Sequence, residues 1–338
     1  MGDGAARLEG RPTLGSLARE LGVSRQTVSN VLNNPELVTE STRRRVLAAL
    51  EGTGYRPAPG RRVPHTQRPM AIALRLYPAG DGVNGTLMDR FTHRITEYAQ
   101  QRGYRISLLS ARDAADEVRL LSELHHDWAI DAAVLTDTYA GDPRPGLLVQ
   151  RSIPFVAFGR PWGDEAAAHS WVDVDGRAGT LAATSHLRAL GHTRIGYIGP
   201  EAPGVCDDRR SGWRDGVAGA GPDPEDLQEV VAFDTARVGA EAARRLQARG
   251  ATALVCGSDT LAFGAVTALR RAGTTLPVIG FDDTPVARAL GISSVAQPVE
   301  AAAQRLIDIL LSEGPATRPR QVLLEPHLVL RNLEPFVS

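Results

Sequence analysis

The sequence predicts an α/β protein with an N-terminal helix-turn-helix headpiece and a body of two subdomains, in which parallel sheets are flanked by helices. Two observations carry this prediction. The first is a pair of short amphipathic patterns of helical period, joined by a glycine, between residues 13 and 32. The second is a regular alternation of short apolar runs with helical patterns from residue 70 onward, which is typical of parallel sheets covered on both faces.

The headpiece is predicted from the run TLGSLARELGVSRQTVSNVL, residues 13–32. Apolar residues at helical spacing, Leu14, Leu17, Ala18 and Leu21, form one face of a first helix. Gly22 follows, where a tight turn needs a residue that is free to adopt a positive φ. The first helix should therefore end at this glycine.

A second helix is predicted directly after the turn. Ser24 can cap its N-terminus, and Thr27, Val28 and Val31 form its inner face. Two short helices joined by a glycine-containing turn form a helix-turn-helix motif, whose outer face can donate to base edges or phosphates. The alternative interpretation is a small helical packing unit with a solvated polar face. The polar residues of the outer face are Arg25, Gln26, Ser29 and Asn30.

The charge distribution also sets this segment apart. The whole chain has a net charge of −1, but residues 1–68 contain 11 Arg and 6 Asp or Glu, a net of +5, so the remainder carries −6. A basic head on an acidic body fits a nucleic-acid module attached to a different domain. The alternative interpretation is a chance clustering of arginines.

From residue 70 the pattern changes to alternating strands and helices, after a Pro-, Gly- and Arg-rich linker at 58–69. The alternation restarts near residue 176, which predicts two α/β subdomains. A ligand cleft is expected between them, at the carboxyl ends of the strands. Strands are predicted at MAIALRL, YRISLLS, DAAVLT, IPFVAFG, RIGYIG, EVVAF, ALVCG and PVIGF, and helices at 84–102, 113–126, 176–190, 209–218, 236–249, 260–272 and 299–311.

The sequence lacks the motifs of the common enzyme classes. It contains no Lys, which excludes a Walker P-loop and a Schiff-base lysine. It has no GxSxG motif and no HxxxH or HExxH metal spacing. Asp282 and Asp283 are neighbours on an extended segment and would point in opposite directions, unlike a catalytic carboxylate pair. We therefore expect no catalytic residues, no metal site and no cofactor.

Cysteine usage and hydropathy indicate the compartment. Cys206 and Cys256 have no CxxC spacing and are expected to be reduced thiols. The sequence has no apolar core of a signal peptide and no apolar run of the roughly 18 residues that a membrane span needs. We expect a cytoplasmic, nucleoid-associated protein without a membrane segment.

The run GVSRQTVSNVLNNPELVTESTRRRVLAALEGTGYRP, residues 22–57, closely resembles the headpiece of the lac-repressor (LacI/GalR) family of bacterial transcription regulators. Segments of the body look like landmarks of the effector-binding core of that family. The resemblance implies a core similar to periplasmic sugar-binding proteins, in which the chain crosses between the subdomains three times. These segments are GHTRIGYIG, RRSGW, CGSDTLAFGAVTALRRAG, IGFDD and SSVAQPVEAAAQRL.

The resemblance also implies a division of the chain. The headpiece takes residues 1–57 and the hinge linker 58–69, the first subdomain takes 70–160 and 296–317, and the second takes 161–295 and 318–338. The crossings should fall near Arg160, Val295 and Arg318. The final strands, QVLLEP and HLVLRN, should both lie in the second subdomain.

For the headpiece, the resemblance implies a homodimer that places two headpieces in successive major grooves of a near-palindromic DNA operator. Arg25 and Gln26 occupy the positions that read base edges in the family. Asn30 stands where many members carry Arg, which predicts a preference for adenine over guanine at that base. The residues expected to contact phosphates or cap helices are Thr13, Ser24, Thr27, Ser29 and Asn33.

The hinge departs from the family pattern. Pro64 stands where members carry the leucine that wedges into the minor groove, and Pro59 and Gly60 both disfavour a short helix. Arg61 and Arg62 can still reach the minor groove. We expect less hinge ordering and less DNA kinking than is usual in the family.

Planar and aromatic side chains near the predicted cleft favour a polyhydroxyl effector, a sugar or sugar derivative. The resemblance places Arg209 and Asp282 at positions that contact the effector, and Ser258 where members usually carry a polar contact residue. For each residue, the alternative is a core or rim side chain satisfied by its neighbours. The expected effector-binding residues are Tyr77, Arg160, Trp162, Arg209, Ser258, Phe281 and Asp282, with Trp213 as a further stacking candidate.

These observations predict a DNA-binding transcriptional regulator, a repressor in the commoner mode of the family, controlled by a small molecule in the cleft. One alternative is a regulator with a degenerate cleft and no ligand. The others are an α/β enzyme with a helical appendage and a solute receptor for transport, which would need a catalytic cluster and a signal peptide, respectively.

Overall fold

The computed structural model describes residues 14–33, 37–53, 70–76, 85–164, 167–201, 204–219, 223–312 and 318–331. The chain divides into two compact units, Met1–Met70 with Glu123–Ala129, and Ala71–Ser122 with Ile130–Ser338. Each unit has its own apolar core, so each is described by itself.

The N-terminal unit contains the predicted helix-turn-helix. Its turn is made by Gly22, whose φ of +64° is the left-handed conformation that the sequence pattern requires. Ser24 then caps the next helix, because its Oγ accepts a hydrogen bond from the backbone N–H of Thr27 at 2.9 Å. The helices of this unit are α1 (Leu14–Leu21), α2 (Arg25–Asn33) and α3 (Glu40–Thr53).

A small apolar core holds these three helices together. All three contribute to it, as the helical spacing of α1 and α2 predicted. The Arg45 guanidinium also donates to the backbone carbonyl of Leu21 at 2.9 Å, which satisfies a carbonyl at the end of α1. The buried apolar residues are Ala18, Val28, Val31 and Val46.

The second unit is built on two six-stranded sheets flanked by helices, in agreement with the predicted α/β class. The strands are β1 (Met70–Arg75), β2 (Tyr104–Leu109), β3 (Ala132–Leu135), β4 (Phe155–Phe158), β5 (Trp171–Val174), β6 (Ile195–Pro200), β7 (Gln228–Val231), β8 (Ala253–Cys256), β9 (Val278–Phe281), β10 (Ser293–Ala296), β11 (Gln321–Leu324) and β12 (His327–Val329). The first sheet has the order β11-β5-β4-β3-β1-β2, and the second β12-β10-β9-β8-β6-β7. Strand β12 pairs antiparallel with β10, whereas β6, β8, β9 and β10 pair in parallel.

Helices cover both sheets and bury their apolar faces against them. In the first sheet, Phe91 of α4 and Leu306 of α12 pack with Ile72 of β1 in one core. In the second, Trp213 of α8 stacks on Tyr197 of β6 with ring centroids 5.4 Å apart. The helices are α4 (Gly85–Gln101), α5 (Ala114–His126), α6 (Arg144–Gln150), α7 (Gly176–Ala189), α8 (Val205–Val217), α9 (Ala236–Ala248), α10 (Asp259–Arg271), α11 (Pro285–Leu290) and α12 (Val299–Ser312).

The strand pairing corrects two of the predicted crossing points. Strand β5 pairs in parallel with β4, Ala157 opposite Trp171, so the chain leaves the first sheet after Val174 and not at Arg160. Strand β11 pairs with β5 and therefore lies in the first sheet, although QVLLEP was expected in the second. The third crossing follows Leu324, not Arg318, and the middle one follows Ala296. Below, each sheet and the helices that connect its strands form one subdomain.

Each helix in the described part of the chain is too short or too polar to cross a lipid bilayer.

Candidate functional site

A cavity of about 380 Å³ lies between the two subdomains, at the carboxyl ends of their strands. Thr136 and Thr138 follow β3, Val174 ends β5, Phe281 ends β9, and Gln297 follows β10; all five line the cavity. Its volume is within the range of about 300–1,000 Å³ that small-molecule sites occupy. The predicted cleft is therefore present at the predicted edge of both sheets.

Arg209, on the second turn of α8, presents its guanidinium to this cavity. Nη1 donates to the backbone carbonyl of Gly257 at 2.6 Å, and the guanidinium carbon lies 3.8 Å from the ring centroid of Phe281. This contact is a cation–π stack that fixes the plane of the guanidinium. Among the described residues, no group accepts a hydrogen bond from its buried Nε. A guanidinium held in one orientation at a cavity wall is a natural contact for a ligand hydroxyl.

Asp282 is buried behind Arg209 and does not itself line the cavity. Its Oδ1 lies 3.8 Å from Nη2 of Arg209 and accepts a hydrogen bond from Nε2 of Gln297 at 2.6 Å. Burial raises the pKa of Asp282 to about 7, and the positive charge of Arg209 opposes this shift. Its φ of +109° is a strained conformation for a residue with a Cβ. Asp282 therefore orients two cavity-lining side chains, Arg209 and Gln297.

Arg160 joins the two subdomains at the rim of the cavity. Its Nε donates to Asp173 of β5 at 2.6 Å, and its Nη2 donates to Asp208 of α8 at 2.8 Å. The guanidinium lies 4.4 Å from the ring centroid of Trp162, which lines the cavity. Burial raises the pKa of Asp173, and the ion pair with Arg160 opposes that shift. Arg160 therefore acts on the cavity through the carboxylates and Trp162.

Gly159, directly before Arg160, has a φ of +121°. A Cβ at this position would lie 2.1 Å from the hydroxyl oxygen of Thr138, so only glycine fits. That hydroxyl instead donates to the backbone carbonyl of Arg160 at 3.0 Å. The glycine thus brings two strand ends together at the floor of the cavity.

Ser258 has a structural role that the sequence prediction did not assign to it. Its Oγ accepts from the backbone N–H of Leu261 at 3.2 Å and so caps α10, while it donates to Asp234 at 2.5 Å. Burial raises the pKa of Asp234. Ser258 is buried and does not line the cavity. Trp213, a stacking candidate, is fully buried in the second core and donates from Nε1 to the carbonyl of Ile195.

The structure adds cavity residues that the sequence analysis missed. Asp208 precedes Arg209 on α8, and its Oδ2 accepts both from Arg160 and from the backbone N–H of Arg177 at 3.0 Å. Thr136 and Thr138 directly follow the apolar run of β3. The available signal was polar residues at a strand end, which lie at the ligand-binding edge of a parallel sheet.

In the headpiece, α2 presents a polar face of described side chains. Gln26 is exposed, and its Nε2 donates to Oδ1 of Asn30 at 2.9 Å, one helical turn away. Because Val28 and Val31 face the core, these two amides lie on the outer side of the helix. Their hydrogen bond holds the two amide groups next to each other on the outer face of α2.

Several predicted site residues cannot be placed. Thr13, Arg61, Arg62 and Tyr77, and the whole linker at 58–69, lie outside the described residues. For Arg25, Ser29 and Asn33, the helix backbone is described but the side chains are not.

The described parts of the chain contain no group of three or more His, Cys, Asp or Glu side chains that could hold a metal ion.

Two protein-family models match the chain. Residues 13–58 match the model described as bacterial regulatory proteins, lacI family. Residues 184–332 match the model described as a periplasmic binding protein-like domain. The first match covers the helix-turn-helix, and the second covers most of the second subdomain.

Full-length relatives and solved structures agree with these models. The chain is 30% identical to the HTH-type transcriptional regulator CelR of Thermobifida fusca, over 95% of this chain and 98% of the relative. It is 32% identical to AglR of Rhizobium meliloti (strain 1021), over 94% and 93%. A structure of a CelR–cellobiose complex matches with a TM-score of 0.67 and 30% identity, over 95% of this chain and 99% of that one. A LacI-family regulatory protein from Chloroflexus aggregans matches with a TM-score of 0.72 and 30% identity, over 77% and 97%.

Proposed function

Because the chain belongs to the LacI family and is a DNA-binding transcriptional regulator rather than an enzyme, we propose that it is a sugar-responsive repressor. It binds a near-palindromic operator as a homodimer, and a neutral sugar or sugar derivative in the cleft controls that binding. The observation that carries the proposal is Arg209, which lines the cavity with its guanidinium held against the ring of Phe281.

The operator is read by the outer face of α2. The adjacent amides of Gln26 and Asn30 suit adenine, which offers an acceptor and a donor side by side in the major groove. Arg25 suits guanine in the same way. The residues proposed to contact phosphates are Thr13, Ser24, Thr27, Ser29 and Asn33, with Arg61 and Arg62 reaching the minor groove.

The charges at the cleft favour a neutral effector. Arg160 is paired with Asp173 and Asp208, and Arg209 lies beside Asp282, so each cation has a carboxylate partner. A phosphate or carboxylate on the ligand would meet more negative than positive charge, which disfavours an anionic ligand. Trp162 and Phe281 also line the cavity and make part of its wall apolar, as in most sites for small neutral ligands. The cellobiose bound to the relative CelR supports the same class of ligand.

Control follows from the position of the cleft between two subdomains. Thr136 belongs to one subdomain and Arg209 to the other. A ligand that contacts both residues binds most tightly to the conformation in which the two subdomains are at one particular closure angle. Such a ligand shifts the population of dimers whose headpieces match the operator spacing.

The test is selection of random DNA duplexes by the full-length protein, with and without a panel of neutral sugars. The proposal expects a two-fold symmetric site whose affinity falls steeply with salt, and a sugar that lowers that affinity. Selection of an asymmetric site would contradict the dimeric operator. A protein that selects DNA but responds to no sugar would be a regulator without an effector.

A further inference from the structure

A second cavity, of about 500 Å³, adjoins the cleft on the side of the first subdomain. Thr138 and Trp162 line both cavities, so the two spaces are neighbours on either side of these side chains. The second cavity is bounded by the loop after β3, by α6 and by the segment after β4. Together the two cavities have more than twice the volume of the cleft alone.

The lining of this second cavity is amphipathic and has no unpaired charge of the kind that binds anions. Tyr139 is 40% exposed and offers a ring surface beside the apolar rings of Pro143 and Pro161. Of the charged lining residues, Asp142 is paired with the buried Arg144 at 2.7 Å, Arg160 is held by two carboxylates, and Asp164 adds a further carboxylate. Rings beside polar groups, with no cation left over to attract an anion, are surroundings that suit a neutral sugar.

Two buried polar atoms at this cavity have no partner among the described residues. They are Nε1 of Trp162 and Nε2 of His169. His169 is only 7% exposed and packs against Phe155 with ring centroids 5.5 Å apart. Burial lowers its pKa, against the opposing effect of Asp142 and Asp164, which favours the neutral imidazole; in that form Nε2 can act as donor or acceptor. Buried polar atoms normally find partners, and ligand hydroxyl groups can supply them here.

We propose that the effector is a neutral oligosaccharide that occupies both cavities. One end lies in the cleft against Arg209, the chain passes Trp162, and the further sugar units lie between Tyr139 and His169. This inference rests on the proposed function and adds to it the size of the ligand and a second subsite. A regulator that responds to single sugar units would need only the cleft, whereas an oligosaccharide needs both cavities.

The test is calorimetric titration of the full-length protein with β-1,4- and α-1,4-linked glucose oligomers of one to four units. Affinity should rise about tenfold when the oligomer becomes long enough to pass Trp162. Gly146 of α6 lines the second cavity, and a Cβ there meets no atom within 4 Å. Gly146→Leu should therefore fill the cavity and abolish that gain, whereas the matched control Gly146→Ala should keep it.

A second variant, at another position of the same cavity, shows whether a loss of affinity comes from the filled cavity or from misfolding of the first variant. Ala168 lies on a different segment of the same cavity and is exposed, so Ala168→Leu should also abolish the gain. Thermal melting of each variant without sugar reports whether it is folded. The second subsite would be contradicted by equal affinity for short and long oligomers, or by a gain in affinity that persists in both leucine variants. Neither result would contradict sugar binding in the cleft. No binding of any oligomer would contradict the proposed function and the inference together.

Discussion

Arg160 and Asp208 form an ion pair at 2.8 Å that links the two subdomains at the rim of the cleft. Arg160 follows the last residues of β4, and Asp208 lies on the first turns of α8. The two side chains are only 23% and 13% exposed, so solvent screens this pair less than a surface pair. The contact therefore favours one closure angle of the cleft.

Replacing Asp208 should loosen this closure. In Asp208→Asn, Arg160 keeps its partner Asp173, so no buried cation is left unpaired. We expect effector affinity in calorimetry to fall about tenfold, since the ligand must then supply more of the closure free energy. The matched control is Asp207→Asn, the neighbouring residue, whose exposed carboxylate pairs with Arg210 on the surface. Equal effects of the two substitutions would contradict the role of the rim pair.

Arg209→Lys should reduce sugar affinity by about 10- to 100-fold, because hydrogen bonds to charged groups contribute about 1.5–3 kcal/mol. A lysine amine cannot lie flat on Phe281 and lacks the Nε donor of the guanidinium. Arg210→Lys on the same helix, in a pair with Asp207, is the control and should leave the affinity unchanged. Calorimetry with the best sugar of the panel measures both. An unaffected Arg209→Lys variant would exclude this guanidinium as a ligand contact.

The pKa of Asp282 predicts a pH-dependent stability. Burial raises this pKa from 3.8 to about 7, so between these values the folded chain holds a proton that the unfolded chain has lost. Its contribution to the free energy of unfolding is therefore largest near pH 4 and falls as the pH rises toward 7, by at most about 1.4 kcal/mol per pH unit. Asp282→Asn removes this dependence.

Denaturant unfolding of both proteins across that pH range measures the effect. The stability of the wild type should fall relative to that of Asp282→Asn as the pH rises. A difference that stays constant with pH would show that Asp282 titrates normally in the folded protein.

The amide pair on α2 predicts a change of base preference. In Asn30→Arg, the hydrogen bond from Gln26 is lost, and the new side chain prefers guanine over adenine. DNA selection with the two proteins should differ at one symmetric pair of base positions, by about 10- to 100-fold in relative affinity. The unchanged positions of the operator are the internal control. Identical selected sites would place Asn30 away from the bases.

Local patterns in the sequence predicted much of the fold. Val28 and Val31 at helical spacing and Gly22 at the turn were sufficient for the helix-turn-helix, because these signals depend on neighbours in the chain. The alternation of strands and helices likewise predicted the cleft. Strand β5 was missed because WVDV has only four residues and contains the charged Asp173. Its role depends on pairing with β4 and β11, which no local pattern encodes.

The site was predicted less completely, since it depends on contacts between distant parts of the chain. Trp162, Arg209 and Phe281 do line the cavity. Asp208 was missed because its importance comes from Arg160, 48 residues earlier. Ser258 and Asp282 are strand-end polar residues, but their side chains turn to Asp234 and Gln297. When two polar residues are neighbours at a strand end, tertiary packing decides which side chain faces the cavity, and a local sequence pattern does not show this.

The most direct test of sugar control through the cleft is operator affinity, measured by fluorescence anisotropy while a neutral oligosaccharide is added. The account predicts that the sugar weakens operator binding by the wild type, and that Arg209→Lys binds the operator equally well without sugar but needs about 10- to 100-fold more sugar for the same release. If the sugar released both proteins at the same concentration, or neither at any concentration, control through this cleft would be contradicted.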